Sequence, residues 1–114
     1  MHEYSLVQAL LQRVEEEARR RNATAVRAVK VSIGEMSGVE ARFFESAYEM
    51  SRPGTLCEAA PLEVVRYRAR WACPGCDREF ALGDHLRCEA CDRPAMLDEK
   101  SQSMHLESIE MEVP

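Results

Sequence analysis

Cys73-Pro74-Gly75-Cys76 and Cys88-Glu89-Ala90-Cys91 are two paired-cysteine turns with eleven residues between them, and they decide how the rest of this 114-residue chain is read. Two intervening residues let a tight turn aim both sulfurs of a pair at one point. A second such turn completes four thiolates around Zn²⁺ at about 2.3 Å each. Pro74 and Gly75 supply turn-compatible backbone. A closed set of four sulfurs leaves no position for water or substrate, so the ion is expected to be structural. Glu79-Phe80-Ala81-Leu82 and His85-Leu86-Arg87 are expected to pair as a small hairpin between the turns, giving a zinc ribbon. Rival readings fit less well. A thioredoxin-type redox site is a single C-x-x-C opening a helix beside a βαβ unit. Small iron-thiolate domains usually place glycine just after the second cysteine of each pair, where this chain has Asp77 and Asp92. Structural disulfides would need a secreted chain, which nothing here marks.

Around this stretch the composition sets bounds. The length fits one small domain carrying a metal-stapled lobe and is too short for two independent cores. A hydrophobic fraction of 46% is globular rather than disordered. The net charge of -5 would repel nucleic acid overall, which weighs against the commonest role of zinc ribbons. No signal segment is visible and no run approaches the ~18 apolar residues needed to cross a bilayer, so a soluble, cytoplasmic protein is expected. Five cysteines with four committed to metal agree with a reducing compartment. The fifth, Cys57, reads as a small buried residue in a loop. His85 reads as an exposed turn residue.

Upstream, residues Tyr4 to about Arg21 read as an amphipathic helix in which Leu6, Leu10, Val14 and Ala18 repeat every four residues, widened by Val7 and Leu11. Arg19, Arg20 and Arg21 suit its C-terminal end and Asn22 its stop. Val26 to Ile33 alternates as a strand. Ser37-Gly38-Val39-Glu40 has the form of a capping box opening a second helix to about Met50, burying Val39, Phe43 and Ala47 with Phe44 or Tyr48 alongside. Leu62 to Trp71 reads as one strand carrying Val65, Tyr67, Ala69 and Trp71 on one face and Val64, Arg66, Arg68 and Arg70 on the other. Downstream, Asp98 to Ser103 reads as a polar linker, and Leu106 to Val113 resumes strand-like alternation. The expected fold is α+β: two helices packed on a small, about three-stranded sheet, with the zinc ribbon inserted between two of its strands. Residues 1–70 and 104–114 would form the α+β domain and residues 71–103 the zinc-binding domain. Neither G-x-x-x-x-G-K-[ST] nor G-x-G-x-x-G occurs, so a nucleotide-driven step must come from another protein.

Met1-His2-Glu3 is a second place where chemistry can concentrate. A free α-amine, the first amide nitrogen and an imidazole at position two can close fused chelate rings around one ion, and the Glu3 amide or carboxylate can fill a further position. Such nitrogen-rich sets suit Ni²⁺ or Cu²⁺.

Met1-His2-Glu3-Tyr4-Ser5-Leu6 at the start, Gly54-Thr55-Leu56 with Ala59 after the second helix, the two C-x-x-C pairs and the closing Ile109-Glu110-Met111-Glu112 together resemble the HypA family of nickel metallochaperones, over essentially the whole chain. The resemblance implies a nickel-binding α+β lobe joined to a zinc-binding lobe. It implies transferable Ni²⁺ on the His2 imidazole with backbone nitrogens from Met1 onward and a contribution from Glu3, and structural Zn²⁺ on Cys73, Cys76, Cys88 and Cys91. It further implies delivery of nickel for maturation of [NiFe]-hydrogenase, and of urease in some organisms, with a nickel-handling GTPase and the hydrogenase large-subunit precursor as partners. The chain is thus expected to be a carrier and not an enzyme. The alternative from a different class is a zinc-ribbon protein–protein interaction module with no transferable metal, recruiting its partner through the lobe or the arginine face of the Leu62 to Trp71 strand.

Overall fold

The computed structural model describes residues 2–81 and 85–114. Met1, expected to lend its amine to nickel, and Leu82, expected to finish a hairpin arm, lie outside the described residues.

Helix α1, His2–Arg20, starts two residues earlier than its apolar periodicity announces and buries Val7, Leu10, Leu11, Val14 and Ala18. It stops at Asn22, whose φ of 54° lets the amide of Ala23 turn back to the carbonyl of Ala18 at 2.9 Å, satisfying an orphan acceptor of the last turn. Strand β1, Ala25–Gly34, follows and becomes the middle of the main sheet. Its parallel neighbour is β2, Leu62–Tyr67, reached through helix α2, Ala41–Ser51, the crossover that parallel pairing requires. Its antiparallel neighbour is the last strand, Met104–Glu112. Val7, Val14, Val29, Val31, Phe44 and Tyr48 form the centre of one core shared by both helices and the sheet. A register shift in the pairing of β1 with that last strand, between Lys30 and Val31, brings Leu106 and Ile109 both against the core although they lie three positions apart.

The start of α2 differs from the capping-box reading. The helix begins at Ala41 with Glu40 as its N-cap, the Glu40 carboxylate accepting from the amide of Arg42, while Ser37 accepts from the amide of Val39. Gly38 sits at φ 78°, so the segment the box would have wound is a loop. With the start moved, the inward face is Ala41, Phe44, Ala47 and Tyr48, and Phe43 is 63% exposed.

The single long strand expected from Leu62 to Trp71 is two. β2 ends at Tyr67, and the next strand, β3, Trp71–Ala72, belongs to a different sheet. In β2 it is Leu62 and Val64 that pack against the core and Val65 that is exposed, the reverse of the expected phase. β3 is the centre of a small sheet, flanked by β4, Glu79–Phe80, and by β7, Met96–Leu97. Between them β5, Arg87–Cys88, pairs with β6, Arg93–Pro94. The hairpin expected between the two cysteine pairs is therefore replaced: its first arm pairs with β3 and its second with the strand that follows the second pair. The final strand of the main sheet is β8 in this numbering.

The polar linker is ordered. Asp98 caps a 3₁₀ turn, Glu99–Gln102, through the amide of Lys100 at 2.8 Å. The carbonyl of Ser101 accepts from Met36, that of Ser103 from Gly34, and that of Arg70 from Asp98. Gly34 is required here, since a Cβ would stand 2.4 Å from the backbone carbonyl of Ser101.

Candidate metal centres

The sulfurs of Cys73, Cys76, Cys88 and Cys91 all lie within 4.8 Å of one another. Cys76 Sγ and Cys88 Sγ, one from each pair, are 3.7 Å apart. That is far beyond a disulfide's ~2.05 Å and close to the edge, about 3.8 Å, of a tetrahedron with 2.3 Å metal–sulfur bonds. The first turn is built by the amide of Gly75 donating to Cys73 Sγ at 3.3 Å and the amide of Asp77 to the Cys73 carbonyl at 2.8 Å. Gly75 is also where the two turns approach: a Cβ there would meet Cys91 Sγ at 3.2 Å. Burial pushes the Cys73 thiol up, but amide hydrogen bonds from Cys76 and Gly75 and the thiols of Cys88 and Cys76 outweigh it and bring it down to about 7. Cys91 is driven up to about 12 by its hydrogen bonds to Cys76 and Cys73, then by burial and their charge. Four thiols so close cannot all ionise by themselves. A divalent cation at their centre removes the conflict, so donor set, spacing and electrostatics fit Zn²⁺ in a closed structural site.

Cys57 stands apart from this cluster, buried beside Tyr48, and burial raises its thiol pKa, which marks it as inert. The Tyr48 hydroxyl donates to the carbonyl of Ala60 at 2.7 Å, and Arg52 donates to the same oxygen at 2.9 Å. His85 is exposed, as read from the sequence.

At the other end of the chain, His2 and Glu3 occupy the first turn of α1. His2 Nδ1 is 3.6 Å from Glu3 Oε2, and that carboxylate also accepts from the amide of Glu40 at 3.3 Å, the donor group opening α2. The imidazole is open to solvent and the carboxylate is 14% exposed. The Glu40 amide, foremost, holds the Glu3 carboxyl below the ordinary range. The first four N–H groups of a helix have no partner in its ladder, so the nitrogens of these residues are available without breaking α1.

Two arginines escaped the sequence reading. Arg70, expected on a basic face, ion-pairs with Asp77 and Glu79 at the first cysteine turn and lies 3.6 Å from Asp98 at the junction, and Arg87 bonds Asp92 after the second turn. The signal for them was the aspartate that directly follows each cysteine pair.

A two-helix, three-stranded lobe joined to a four-sulfur ribbon defines a small α+β protein whose cysteine cluster fits a structural zinc site. Its sequence matches the family model described as "Hydrogenase/urease nickel incorporation, metallochaperone, hypA" over residues 1–111, and the chain belongs to this HypA family. It is 38% identical to the hydrogenase maturation factor HypA of Wolinella succinogenes over 98% of this chain and 96% of the relative. To the hydrogenase maturation factor HypA of Aquifex aeolicus it is 37% identical over 99% of each. The solution structure of the Ni metallochaperone HypA from Helicobacter pylori superposes with a TM-score of 0.72 at 32% identity, covering 98% of both chains. The resemblance read from the motifs is thereby established at the level of the family, a family of nickel metallochaperones.

Proposed function

We propose that this chain loads Ni²⁺ at its N-terminus and hands it on for maturation of a [NiFe]-hydrogenase or urease, acting as a carrier and not as a catalyst. The α-amine of Met1, the amide nitrogen and imidazole of His2, and the amide or carboxylate of Glu3 form the loading set. Cys73, Cys76, Cys88 and Cys91 hold zinc. The division of labour is between residues 1–70 with 104–114, which carry nickel, and residues 71–103, which carry zinc. The observation that carries the reading is the closeness of His2 Nδ1 to the Glu3 carboxylate, 3.6 Å, in a helix turn whose amides owe nothing to the ladder.

A set drawn from one exposed turn can be dismantled by a docking partner more readily than a buried cage, which suits delivery. Copper binds nitrogen ligands more tightly than nickel does, so selectivity rests on availability and on the partner. The partners are a nickel-handling GTPase, since the chain has no phosphate loop of its own, and the hydrogenase large-subunit precursor. The site of action is the cytoplasm; among the described residues no helix is long and apolar enough to cross a membrane.

Nickel titration of the zinc-loaded chain with a free Met1 tests this. His2→Ala, and separately one residue added before Met1, are each expected to abolish stoichiometric nickel binding while zinc content stays the same. Unchanged nickel affinity in both variants would overturn the carrier reading in favour of an interaction module.

A further inference from the structure

We propose that Arg70 and Arg87 are positioning residues for the zinc site: each holds the left-handed aspartate that closes its cysteine turn, and so keeps that pair's two sulfurs on the metal. Asp77 and Asp92 directly follow Cys76 and Cys91 and have φ values of 63° and 51°. A side chain at positive φ is uncommon, and glycine is the residue that accepts this backbone freely. At both positions the chain instead carries an aspartate seized by one guanidinium at two points. Arg70 donates from Nη1 to Asp77 Oδ1 at 3.0 Å and from Nη2 to the Asp77 carbonyl at 3.1 Å. Arg87 donates from Nε to Asp92 Oδ1 at 3.0 Å and from Nη2 to the Asp92 carbonyl at 3.1 Å. The acceptors are the same and the distances match, yet Arg70 precedes its aspartate by seven residues and Arg87 by five. Two different chain paths arrive at one arrangement.

A planar fork that takes a side-chain and a main-chain oxygen together fixes the backbone and not only the charge. At the first turn the consequence can be traced to the metal. The amide of Asp77 closes the turn onto the Cys73 carbonyl, inside which Gly75 donates to Cys73 Sγ. Rotating Asp77 out of the left-handed region would swing the chain that follows it, withdraw the Arg78 carbonyl that accepts from the amide of Cys73 at 2.9 Å, and let the pair splay. Arg70 has further partners in Glu79 and Asp98, so its loss is expected to be felt more than that of Arg87.

The competing account is that these are ordinary surface ion pairs, since the aspartate side chains are 79% and 87% exposed, and such pairs are usually worth little. Transfer of zinc from the zinc-loaded full chain to an excess of chromophoric chelator separates the two. Arg70→Met and Arg87→Met are expected to release zinc about 10 to 100 times faster, the range for residues that orient metal ligands. Asp77→Gly and Asp92→Gly are expected to release at close to the parent rate, because glycine holds the turn without a clamp. The decisive variants are doubles. Arg70→Met with Asp77→Gly should fall back to the slow rate, whereas Arg70→Met with Asp92→Gly should stay fast. Single arginine variants that release at the parent rate would overturn the proposal. So would a matched double as fast as Arg70→Met alone, since Arg70 would then act through Glu79 or Asp98. If Arg70→Met fails to load zinc at all, loading restored by Asp77→Gly supports the clamp and loading not restored overturns it.

Discussion

The helical lobe and the ribbon lobe reach a folded state by different physical means. In the first, fifteen buried residues from α1, β1, α2 and the loop after α2 form one contiguous core. In the second, among the described residues, the buried cluster is Cys73, Phe80 and Cys88, with Cys91 and Ala95 partly covered, so most of that cluster is cysteine. Apolar burial scales with the side chains enclosed, about 1.5–3 kcal/mol for each large one. A cluster with Phe80 as its one large apolar side chain among the described residues cannot offset the ordering of some thirty residues at roughly 1–2 kcal/mol of backbone entropy each. The first lobe is held by packing, and the second fits a lobe held by an ion. A chain this short can carry two lobes because only one has to build a core.

The sharpest way to break this contrast is to remove one sulfur. Cys88→Ser is expected to abolish zinc retention and unfold the ribbon, with a loss on the order of the 10–16 kcal/mol that zinc binding supplies in small zinc domains. The far-UV helix signal, which comes from α1 and α2, should be unchanged. Metal analysis with circular dichroism on one sample decides it, and zinc retained at full stoichiometry would mean that the four sulfurs are not the site. The reciprocal change is Phe44→Ala, at a side chain that is fully buried in the helical core. It should lower the stability of that lobe by about 3–5 kcal/mol, read as a drop in the urea midpoint. Zinc transfer to a chelator should keep its parent rate under native conditions. Acceleration there would show that the ribbon leans on the helical core and that the two means of folding are not separate.

The same contrast explains what could be read in advance. Wherever local chemistry decides, the sequence was informative: four cysteines in two spaced pairs converge as their spacing implies, and α1 buries the stripe its four-residue period marks. Reading failed where a distant partner decides. Ser37 and Glu40 have the right offset for a capping box, but the Glu40 amide is claimed by the carboxylate of Glu3, 37 residues away, and Glu40 caps the helix itself. The strand after Leu62 looks continuous through the arginines. It breaks because Glu35 takes the amide of Ala69 and Asp98 donates to the carbonyl of Arg70, diverting both from ladder pairing. A period of two gives no notice of such diversions, nor of the register shift that realigns Leu106 with Ile109. Asp77 and Asp92 entered the sequence reading only as residues where an iron site would have glycine. They gave no notice of the arginines, seven and five residues earlier, that bond both their carboxylates and their carbonyls.

The smallest expected effect concerns the contact between α1 and α2, and it sharpens the contrast by adding charge to the packing of the helical lobe. The Glu3 carboxylate, taken from one helix, accepts from the amide that opens the other. That amide, Glu3's own amide and the neighbouring His2 outweigh burial and hold the carboxyl below its usual range. A carboxyl whose pKa falls on folding adds stability that is fully present above its unfolded value, near 4.3, and is lost as the pH drops through the lower folded value. Glu3→Gln keeps the shape but replaces a charge-assisted hydrogen bond with a neutral, weaker one. The nickel-free parent should therefore melt above the variant at pH 6, by a modest margin, and the two melting temperatures should converge as the pH falls below about 4. Because both are compared at each pH, acid loss of zinc from the ribbon affects them alike. A margin that persists to pH 3 would show that Glu3 joins the helices by its shape and not by its charge.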